Sequence, residues 1–496
     1  NIAYLVLLVL LFASSVFSVS RAQSFFAPDP TGERFFSFAA FLILAFLIAN
    51  GFSREDVERM VIVLFTSAIL FSMLIFLQIT PLVELPSYLL KNPAGNLNGA
   101  ALLLGGFLLM ALSFFVFRPK EVKYSRFFLV LVKASLALVA VNLLLINFKT
   151  GWIGLGATAA LLVALTLSRF SMHTASSIAL FIILAVSVLA AILPLGPEQL
   201  IPGLKSEIQV APSFLSTLAI DFNVLKTLPV FGSGPGTFVY DYNMHRPLVI
   251  NQTIFWNLRF DHGFSFLTTA LGTLGTLGLT SLLFFIAASS ILLWRLTRNF
   301  SADDPLLFGF TAFIVFGTVL WFIYPSAFAM NFLIFLSLGS VIALSPSAEK
   351  AGSFWEKGVE RIFKIETQAQ AFVSSLAVTA LFIFVILAGY LVIQKYVAEA
   401  YFANGIFVVN QYGNTDTAIA RLGRALAFDP RNDRYLTNQS RLYLRRTQEA
   451  ISRITAGNTG AQTDFQVNLN SALDSAKRAA LINPREPDNW IALGTI

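Results

Sequence analysis

Long apolar segments follow one another along most of this 496-residue chain, and they limit its possible folds more than any other feature. Apolar residues make up 56% of the sequence and charged residues only 12%. A membrane-crossing helix needs roughly 20 mostly apolar residues, and about eleven segments fit that template. The sequence therefore predicts an all-α fold, a polytopic membrane helix bundle. The predicted spans lie at residues 2–19, 35–50, 57–79, 97–117, 127–147, 151–168, 176–195, 264–293, 306–322, 327–344 and 371–394.

Positive charge alternates between successive connections, which predicts the orientation of the bundle. By the positive-inside rule, the connections rich in Lys and Arg face the cytoplasm. The central loop, about residues 196–262, and the tail after residue 394 are then extracytoplasmic. The charged set consists of Arg54, Arg59, Arg118, Lys120, Lys123, Arg126, Arg169, Arg295, Arg298, Lys350, Lys357, Arg361 and Lys364. The other short connections hold only Arg21, Arg34, Lys91 and Lys149.

The tail has a different character and predicts a second domain. We expect a membrane domain at residues 1–394 and a soluble helical domain at residues 395–496. Two passages, AIARLGRALAFDPRNDRYL and SALDSAKRAALINPREPDNWIALG, resemble tetratricopeptide repeats, with an insertion near residues 455–463. The alternative is an ordinary helical hairpin domain. Either indicates a protein partner or a spacing role. Because the chain starts at Asn1 and ends inside a predicted helix, we expect it to continue at both ends.

Residues 211–279 form a polar, irregular stretch between apolar segments, and any chemistry is expected there. The sequence FGSGPGTF supplies Gly232, Gly234 and Gly236 around Pro235. Glycine adopts positive φ at no steric cost, so this turn can approach another surface closely. Gly272, Gly275 and Gly278 recur every third residue in the following span, which favours close helix packing over ligand contact.

Three cations and one histidine are the candidate site residues. Lys149 lies at the outer end of a span, while Arg246 and Arg259 flank INQTIFWN in the central loop. A cation at the mouth of an apolar bundle is costly unless it is paired, and a lipid phosphate would satisfy it. His262 precedes an apolar helix, and a neutral imidazole there can accept a proton from a hydroxyl, with Asp261 available to orient it. The alternatives are interfacial or solvated cations and a packing or helix-capping histidine.

Several other kinds of chemistry have no support in the sequence. The chain contains no cysteine, which excludes disulfides and thiolate sites. No GxGxxG after a strand, P-loop, HExxH or outward-facing DxD occurs, so nucleotide and zinc chemistry are not indicated. We therefore expect neither a cofactor nor a metal, and no nucleic-acid partner.

The order of these motifs resembles that of the O-antigen ligase and polymerase family of bacterial envelope glycan transferases. KNPAGNLNGAALLLG resembles the Asn-rich start of an early span, and FKTGWIGL the family's Ser-Arg-x-x-Trp-x-Gly passage. LPVFGSGPGTF is similar to its Pro-Leu-x-Gly-x-Gly-Pro-x-x-Phe turn. DHGFSFLTTALGTLGTLG resembles its His-Asn-x-Tyr-Leu stretch before a Gly-x-x-Gly helix. The resemblance covers roughly residues 91–279, and a trailing repeat domain also occurs in such proteins.

The resemblance implies transfer of a glycan from an undecaprenyl-diphosphate carrier to a lipid or glycan acceptor. The reaction would occur on the outer face of the bacterial cytoplasmic membrane, as a metal-independent glycosyltransferase reaction. Lys149 would stand where the family has an arginine and contact the diphosphate, and His262 where it has its essential histidine. Arg246 or Arg259 would help neutralise charge. Expected partners are the carrier, the acceptor, membrane lipid and a protein bound by the repeats.

Three positions depart from the family pattern. Lysine at position 149 loses the bidentate phosphate geometry of arginine. Gly263 replaces an Asn, and His262 lies two residues farther from Gly275 than in the family. These departures leave the fold expectation in place and the identity of the base open.

Three other functions stay open at this stage. One is a glycosyltransferase that uses acidic residues of the first outer loop, Asp29 and Glu33, together with a metal. Another is a transporter or flippase for a lipid-linked glycan, which would show charged residues at mid-span. The third is a non-catalytic envelope scaffold whose tail recruits other proteins.

Overall fold

The computed structural model of the protein describes residues 2–26, 31–80, 92, 94–116, 125–167, 174–192, 210–299, 304–345, 368–456 and 460–496. All regular structure in these ranges is helical, as the sequence predicts. The chain divides into two compact units, Asn1–Gly358 and Val359–Ile496.

The first unit is a bundle of apolar helices with two short helices in its central loop. Its helices are α1 (Ile2–Val16), α2 (Arg21–Phe26), α3 (Phe35–Gly51), α4 (Arg54–Ile79), α5 (Leu97–Val116), α6 (Arg126–Ile146), α7 (Lys149–Leu167), α8 (Thr174–Ile192), α9 (Phe214–Thr227), α10 (Phe238–His245), α11 (Phe266–Asn299), α12 (Pro305–Ile323) and α13 (Phe328–Ala343). A 3₁₀ turn, Leu248–Gln252, lies between α10 and α11.

Five helices among the described residues are long and apolar enough to cross a membrane: α4, α5, α6, α11 and α12. Five shorter apolar helices accompany them, in α1, α3, α7, α8 and α13. This set is compatible with a multi-pass membrane protein. The predicted span at residues 371–394 lies within a longer helix of the second unit, Gln368–Tyr412.

Aromatic rings packed on glycines hold the centre of the bundle together. Phe310, Phe313 and Phe316 of α12 are fully buried. A side chain at Gly105 would crowd the Phe316 ring, and one at Gly106 would overlap the ring of Phe313. Lipid tails are as apolar as the helices, so van der Waals contact at such small residues is what holds membrane helices together.

Connections that the charge pattern places on one side also meet in the structure. Arg54 donates to Asp304 at 2.8 Å, which joins the starts of α4 and α12. At the opposite end, Ser326 Oγ donates to the Thr31 carbonyl at 3.0 Å. The Phe148 ring packs on the Tyr324 ring, with centroids 5.5 Å apart. We call this second end, where Thr31, Phe148 and Tyr324 lie, the turn end. Its side of the membrane stays a prediction.

The second unit is a succession of packed helices. It consists of α14 (Gln368–Tyr412), α15 (Thr415–Phe428), α16 (Asp433–Thr455), α17 (Ala461–Ile482) and α18 (Pro487–Gly494). α14 packs on α15, α16 on α17, and α18 on both α16 and α17. The expected domain boundary at residue 394 falls inside α14.

The two sequence repeats end in the same backbone conformation. Asp429, before Pro430, has φ −136° and ψ 78°, and Asn483, before Pro484, has φ −137° and ψ 83°. A residue that precedes proline is pushed out of the helical region, so each proline ends its helix. The Asp429 carboxylate accepts from Lys395 Nζ at 2.7 Å. The assignment to tetratricopeptide repeats stays a prediction.

Candidate functional site

The polar stretch between α9 and α11 folds around the glycine turn, residues 229–237. Gly232, Gly234 and Gly236 have φ of +66°, +113° and +72°. The sequence prediction of positive φ at this turn is therefore confirmed. Residues other than glycine seldom adopt such φ angles, which explains why the turn contains three glycines.

The glycine turn inserts into a break in α11. At Gly275 the helix adopts φ 68° and ψ −171°, a conformation essentially restricted to glycine. An unbroken helix would join the amides of Thr276 and Leu277 to the carbonyls of Gly272 and Thr273. The break separates both pairs and leaves four backbone polar groups that need partners.

The glycine turn supplies all four partners. Ser233 N–H donates to the Gly272 carbonyl at 3.1 Å, and Gly234 N–H to the Thr273 carbonyl at 2.7 Å. In the other direction, Thr276 N–H donates to the Pro229 carbonyl at 3.0 Å and Leu277 N–H to the Val230 carbonyl at 3.2 Å. Two helix bonds are thus exchanged for four bonds between the turn and the helix.

No side chain fits between these two backbones. A Cβ added to Gly232 would overlap the Gly272 carbonyl, and one added to Gly275 would overlap the amide of Gly232. The expected close packing at Gly272 and Gly275 therefore occurs. The packed surface is a turn inserted into a broken helix, which the spacing of the glycines did not predict.

Helix α1 and the segment after it hold the turn from the other side. The buried Ser14 Oγ donates to the Phe231 carbonyl at 2.7 Å. Val19 N–H and Ser18 Oγ both donate to the Ser233 carbonyl, at 2.8 and 2.9 Å. The turn is therefore fixed to two elements distant in sequence.

Two buried carboxylates lie beside the contact between the glycine turn and the break in α11, which we call the junction. Asp241 contacts the hydroxyl of Ser233. Asp221, on α9, is fully buried, and neither of its oxygens has a hydrogen-bond partner. Its carboxylate lies so close to Gly272 that a Cβ there would overlap Oδ1. Burial first, and the charge of Asp241 second, raise the pKa of Asp221 to about 8.

Sequence reasoning overlooked Asp221 as a functional candidate. The signal was present: Asp221 shares the buried face of α9 with Thr217, Ile220 and Val224, at helical spacing. A carboxylate on such a face is buried without an obvious partner, which marks it for attention.

A cavity of about 10 Å³ adjoins the turn between α1 and α11. Pro235, Thr273 and Glu33 contribute to its wall, together with apolar side chains of both helices. Its volume suits a single water molecule. Glu33 is only 7% exposed and Asp29 lies outside the described residues. Within the described ranges, no group of three or more His, Asp or Glu side chains could hold a metal ion.

His262 lies four residues before the start of α11. Its side chain is only 16% exposed, and its Nε2 lies 3.6 Å from Oδ1 of Asp261. Its Nδ1 lies 3.1 Å from the Gly263 carbonyl oxygen. Ser265, rather than His262, caps the helix, because its Oγ accepts from the Thr268 amide at 3.2 Å. The imidazole of His262 therefore contacts Asp261 and Gly263 and does not cap α11.

Gly263, which precedes the start of α11 by three residues, has no room for a side chain. A Cβ there would overlap Cγ2 of Thr217. The Gly263 amide donates to Thr269 Oγ1 at 2.9 Å, and the next amide, of Phe264, donates to Thr217 Oγ1 at 3.0 Å. These bonds tie residues 261–264, which we call the histidine segment, to α9 and α11.

The two loop arginines lie outside the buried junction. Arg246 is the C-cap residue that follows α10, and its Nη1 donates to the Trp256 carbonyl at 2.6 Å. Burial raises the pKa of Tyr242, while the charge of Arg246 lowers it in part. Arg259 is exposed. The two arginines therefore border residues 247–258 and lie outside the buried junction.

Lys149 begins α7 and is exposed at the turn end. The preceding residue, Phe148, packs on Tyr324, whose carbonyl accepts from the Phe266 amide at 3.0 Å. Phe266 lies four residues after His262, so Lys149 and His262 belong to the same end of the bundle. Among the described contacts, no hydrogen bond or ion pair joins Lys149, Arg246 and His262.

No known protein family and no curated protein sequence matches the chain. The resemblance to envelope glycan transferases therefore stays a hypothesis that depends on the motifs and on the geometry around the glycine turn.

Proposed function

We propose that the protein transfers a glycan from an undecaprenyl-diphosphate carrier to an acceptor hydroxyl. The supporting observation is the chain of contacts from Phe148 through Tyr324 to Phe266, which brings the starts of α7 and α11 to one end of the bundle. A cation and an imidazole at one membrane face are the two groups that this reaction needs.

The reaction assigns a separate task to each group. The acceptor oxygen attacks the anomeric carbon as the bond from that carbon to the diphosphate oxygen breaks. Lys149 and the loop arginines, Arg246 and Arg259, neutralise the departing diphosphate. The imidazole of His262 takes the proton of the acceptor hydroxyl, and Asp261 stabilises the imidazolium. The glycine turn contributes a fixed platform.

The proposal includes a setting in the bacterial cytoplasmic membrane. Eleven spans, with the central loop and the tail outside, would place the site in the leaflet where a carrier-linked glycan is presented. The helices of the second unit would form a tetratricopeptide-like domain that recruits a protein partner.

The test incubates purified protein with an undecaprenyl-diphosphate glycan and candidate acceptors. His262→Ala should lower transfer roughly 10²- to 10⁴-fold, the usual contribution of a general base. Lys149→Ala should lower it as well, with a larger effect on kcat than on KM. Lys226→Ala removes an exposed cation at the end of α9 and serves as the matched control. Unchanged transfer in both His262→Ala and Lys149→Ala would reject the site, and inhibition by a chelator would favour the acidic-loop alternative.

The broken helix favours a second candidate, a transporter of lipid-linked glycan. Helices broken within the membrane, with a buried ionisable residue nearby, form the substrate sites of many transporters. Gly275 lies roughly 14 Å along α11 at ~1.5 Å per residue, and Gly272, three residues before it, lies against the buried Asp221. Reconstituted vesicles distinguish the two functions, because a transporter moves the labelled lipid across the bilayer without any acceptor.

A further inference from the structure

Residues 247–258, which we call the apolar loop, expose large apolar side chains to an unusual degree. Ile254 is 83% exposed, Leu248 79%, Val249 71% and Trp256 58%. Single exposed apolar residues are common on proteins, but four in one short segment mark an interaction surface.

Part of the backbone of the apolar loop is hydrogen-bonded within the loop. Four successive turns pair the amides of Ile250, Thr253, Trp256 and Leu258 with carbonyls three residues earlier, at 3.0 to 3.2 Å. Arg246 closes the loop through its bond to the Trp256 carbonyl. Unpaired backbone groups are costly in an apolar medium, so this local pairing lowers the cost of placing the loop at the edge of the lipid.

Charge is arranged around the apolar loop and not within it. Residues 247–258 include no charged side chain, while Arg246 precedes them and Arg259 follows. An uncharged segment with exposed apolar side chains and a cationic border matches the order of acyl chains and phosphates in a leaflet. Trp256 adds a side chain that is enriched where water and lipid meet.

The apolar loop also lies at an end of the membrane helices. Phe260, two residues after it, packs on the buried Tyr242 ring with centroids 5.1 Å apart. Further along, Phe266 begins α11, a candidate membrane span. A protein partner would need charges or shape complementary to the loop, whereas a bilayer crossed by α11 would itself present a leaflet at this end of the bundle.

We propose that the apolar loop inserts Leu248, Val249, Ile254 and Trp256 into the headgroup and acyl boundary of the leaflet at the turn end. The occupant is bilayer phospholipid, and the inference does not depend on the proposed glycan transfer. Insertion would keep the histidine segment next to the membrane surface, where a lipid-bound substrate arrives.

The absence of cysteine allows a direct test in the full chain. Ile254→Cys carries a nitroxide label, and Leu481→Cys in α17 is the matched control because Leu481 is equally exposed, at 82%. Each protein is placed as a single copy in a phospholipid nanodisc. Collisions of the label with oxygen, which concentrates in lipid, are compared with collisions with a water-soluble nickel chelate.

Insertion predicts opposite behaviour at the two sites. The label at residue 254 should meet oxygen several-fold more often relative to nickel chelate than the label at residue 481. Equal nickel accessibility at both sites would place the loop in water and overturn the proposal. Protection of the label at residue 254 from both collision partners, or dipolar broadening between copies in larger discs, would mean a protein surface covers it, and that also overturns the proposal.

Discussion

The glycine turn and the apolar loop are separated by a single short helix, yet they are held in opposite ways. The glycine turn bonds to α1, to the segment after it and to both sides of the break in α11. The hydrogen bonds described for the apolar loop are local, and most of its side chains are exposed. Rigid foundations and less tightly held binding segments commonly adjoin in this way.

This difference assigns separate tasks to neighbouring residues. His262 can be positioned for chemistry because the amides of its neighbours Gly263 and Phe264 bond to Thr269 of α11 and Thr217 of α9, the two helices that also border the glycine turn. Residues of the apolar loop can adapt to a lipid or an acceptor. Substitutions should therefore affect global stability at the junction and only local order in the loop.

The largest effect is expected for Gly275→Ala. The backbone at Gly275 is restricted to glycine, and a Cβ would overlap the Gly232 amide. We expect a loss of roughly 3–5 kcal/mol in the free energy of unfolding, measured by thermal unfolding in detergent. Gly51→Ala is the control, because no atom lies near its added Cβ. Similar stability of the two variants would contradict the inserted-turn geometry.

The next effect concerns the pH dependence of stability. The pKa of Asp221 is raised from 3.8 to about 8 by burial first and by Asp241 second. Between these values the folded state binds the extra proton, so the free energy of unfolding falls as pH rises and levels off above about pH 8. The slope reaches at most about 1.4 kcal/mol per pH unit.

Asp221→Asn tests this slope directly, because the amide is neutral at every pH. Unfolding temperatures measured between pH 5 and 9 should vary less in this variant than in the parent protein. Asp261→Asn replaces a carboxylate that is 62% exposed and should keep the parent's slope. A slope unchanged by Asp221→Asn would show that another group titrates.

The sequence predicted the helical class and the positive φ of Gly232, Gly234 and Gly236, because composition and residue type decide these features locally. It did not predict the break at Gly275. That break needs the glycine turn, which lies about 40 residues earlier, to supply the missing hydrogen bonds. Long-range exchange of backbone bonds leaves no local pattern.

The candidate site shows the same division. Lys149 and His262 stood out by residue type, and their common location at the turn end depends on Tyr324, which no motif marked. Asp221 escaped notice because the apolar residues around it resembled an ordinary packed helix face. Only burial distinguishes it from the exposed Asp261.

A smaller effect is expected for Ser14→Ala. The Ser14 hydroxyl is the partner that α1 gives to the Phe231 carbonyl, and removing a buried partner costs roughly 1–2 kcal/mol. Ser15→Ala is the matched control, since Ser15 is equally buried but donates to Leu11 of its own helix at 2.8 Å. Unfolding temperatures should fall more for Ser14→Ala. The reverse order would remove α1 from the support of the turn.

The smallest effect on stability is expected for Arg246→Gln. It weakens the bond that closes the apolar loop, so amide exchange at Trp256 and Leu258 should accelerate several-fold while the free energy of unfolding changes by less than about 0.5 kcal/mol. Lys226→Gln alters an exposed cation that donates to Asn223 at 2.8 Å and should leave loop exchange unchanged. If Arg246→Gln lowered the unfolding temperature as much as Ser14→Ala, the loop and the turn would form one cooperative unit. The loop could then not adapt to a lipid independently of the junction.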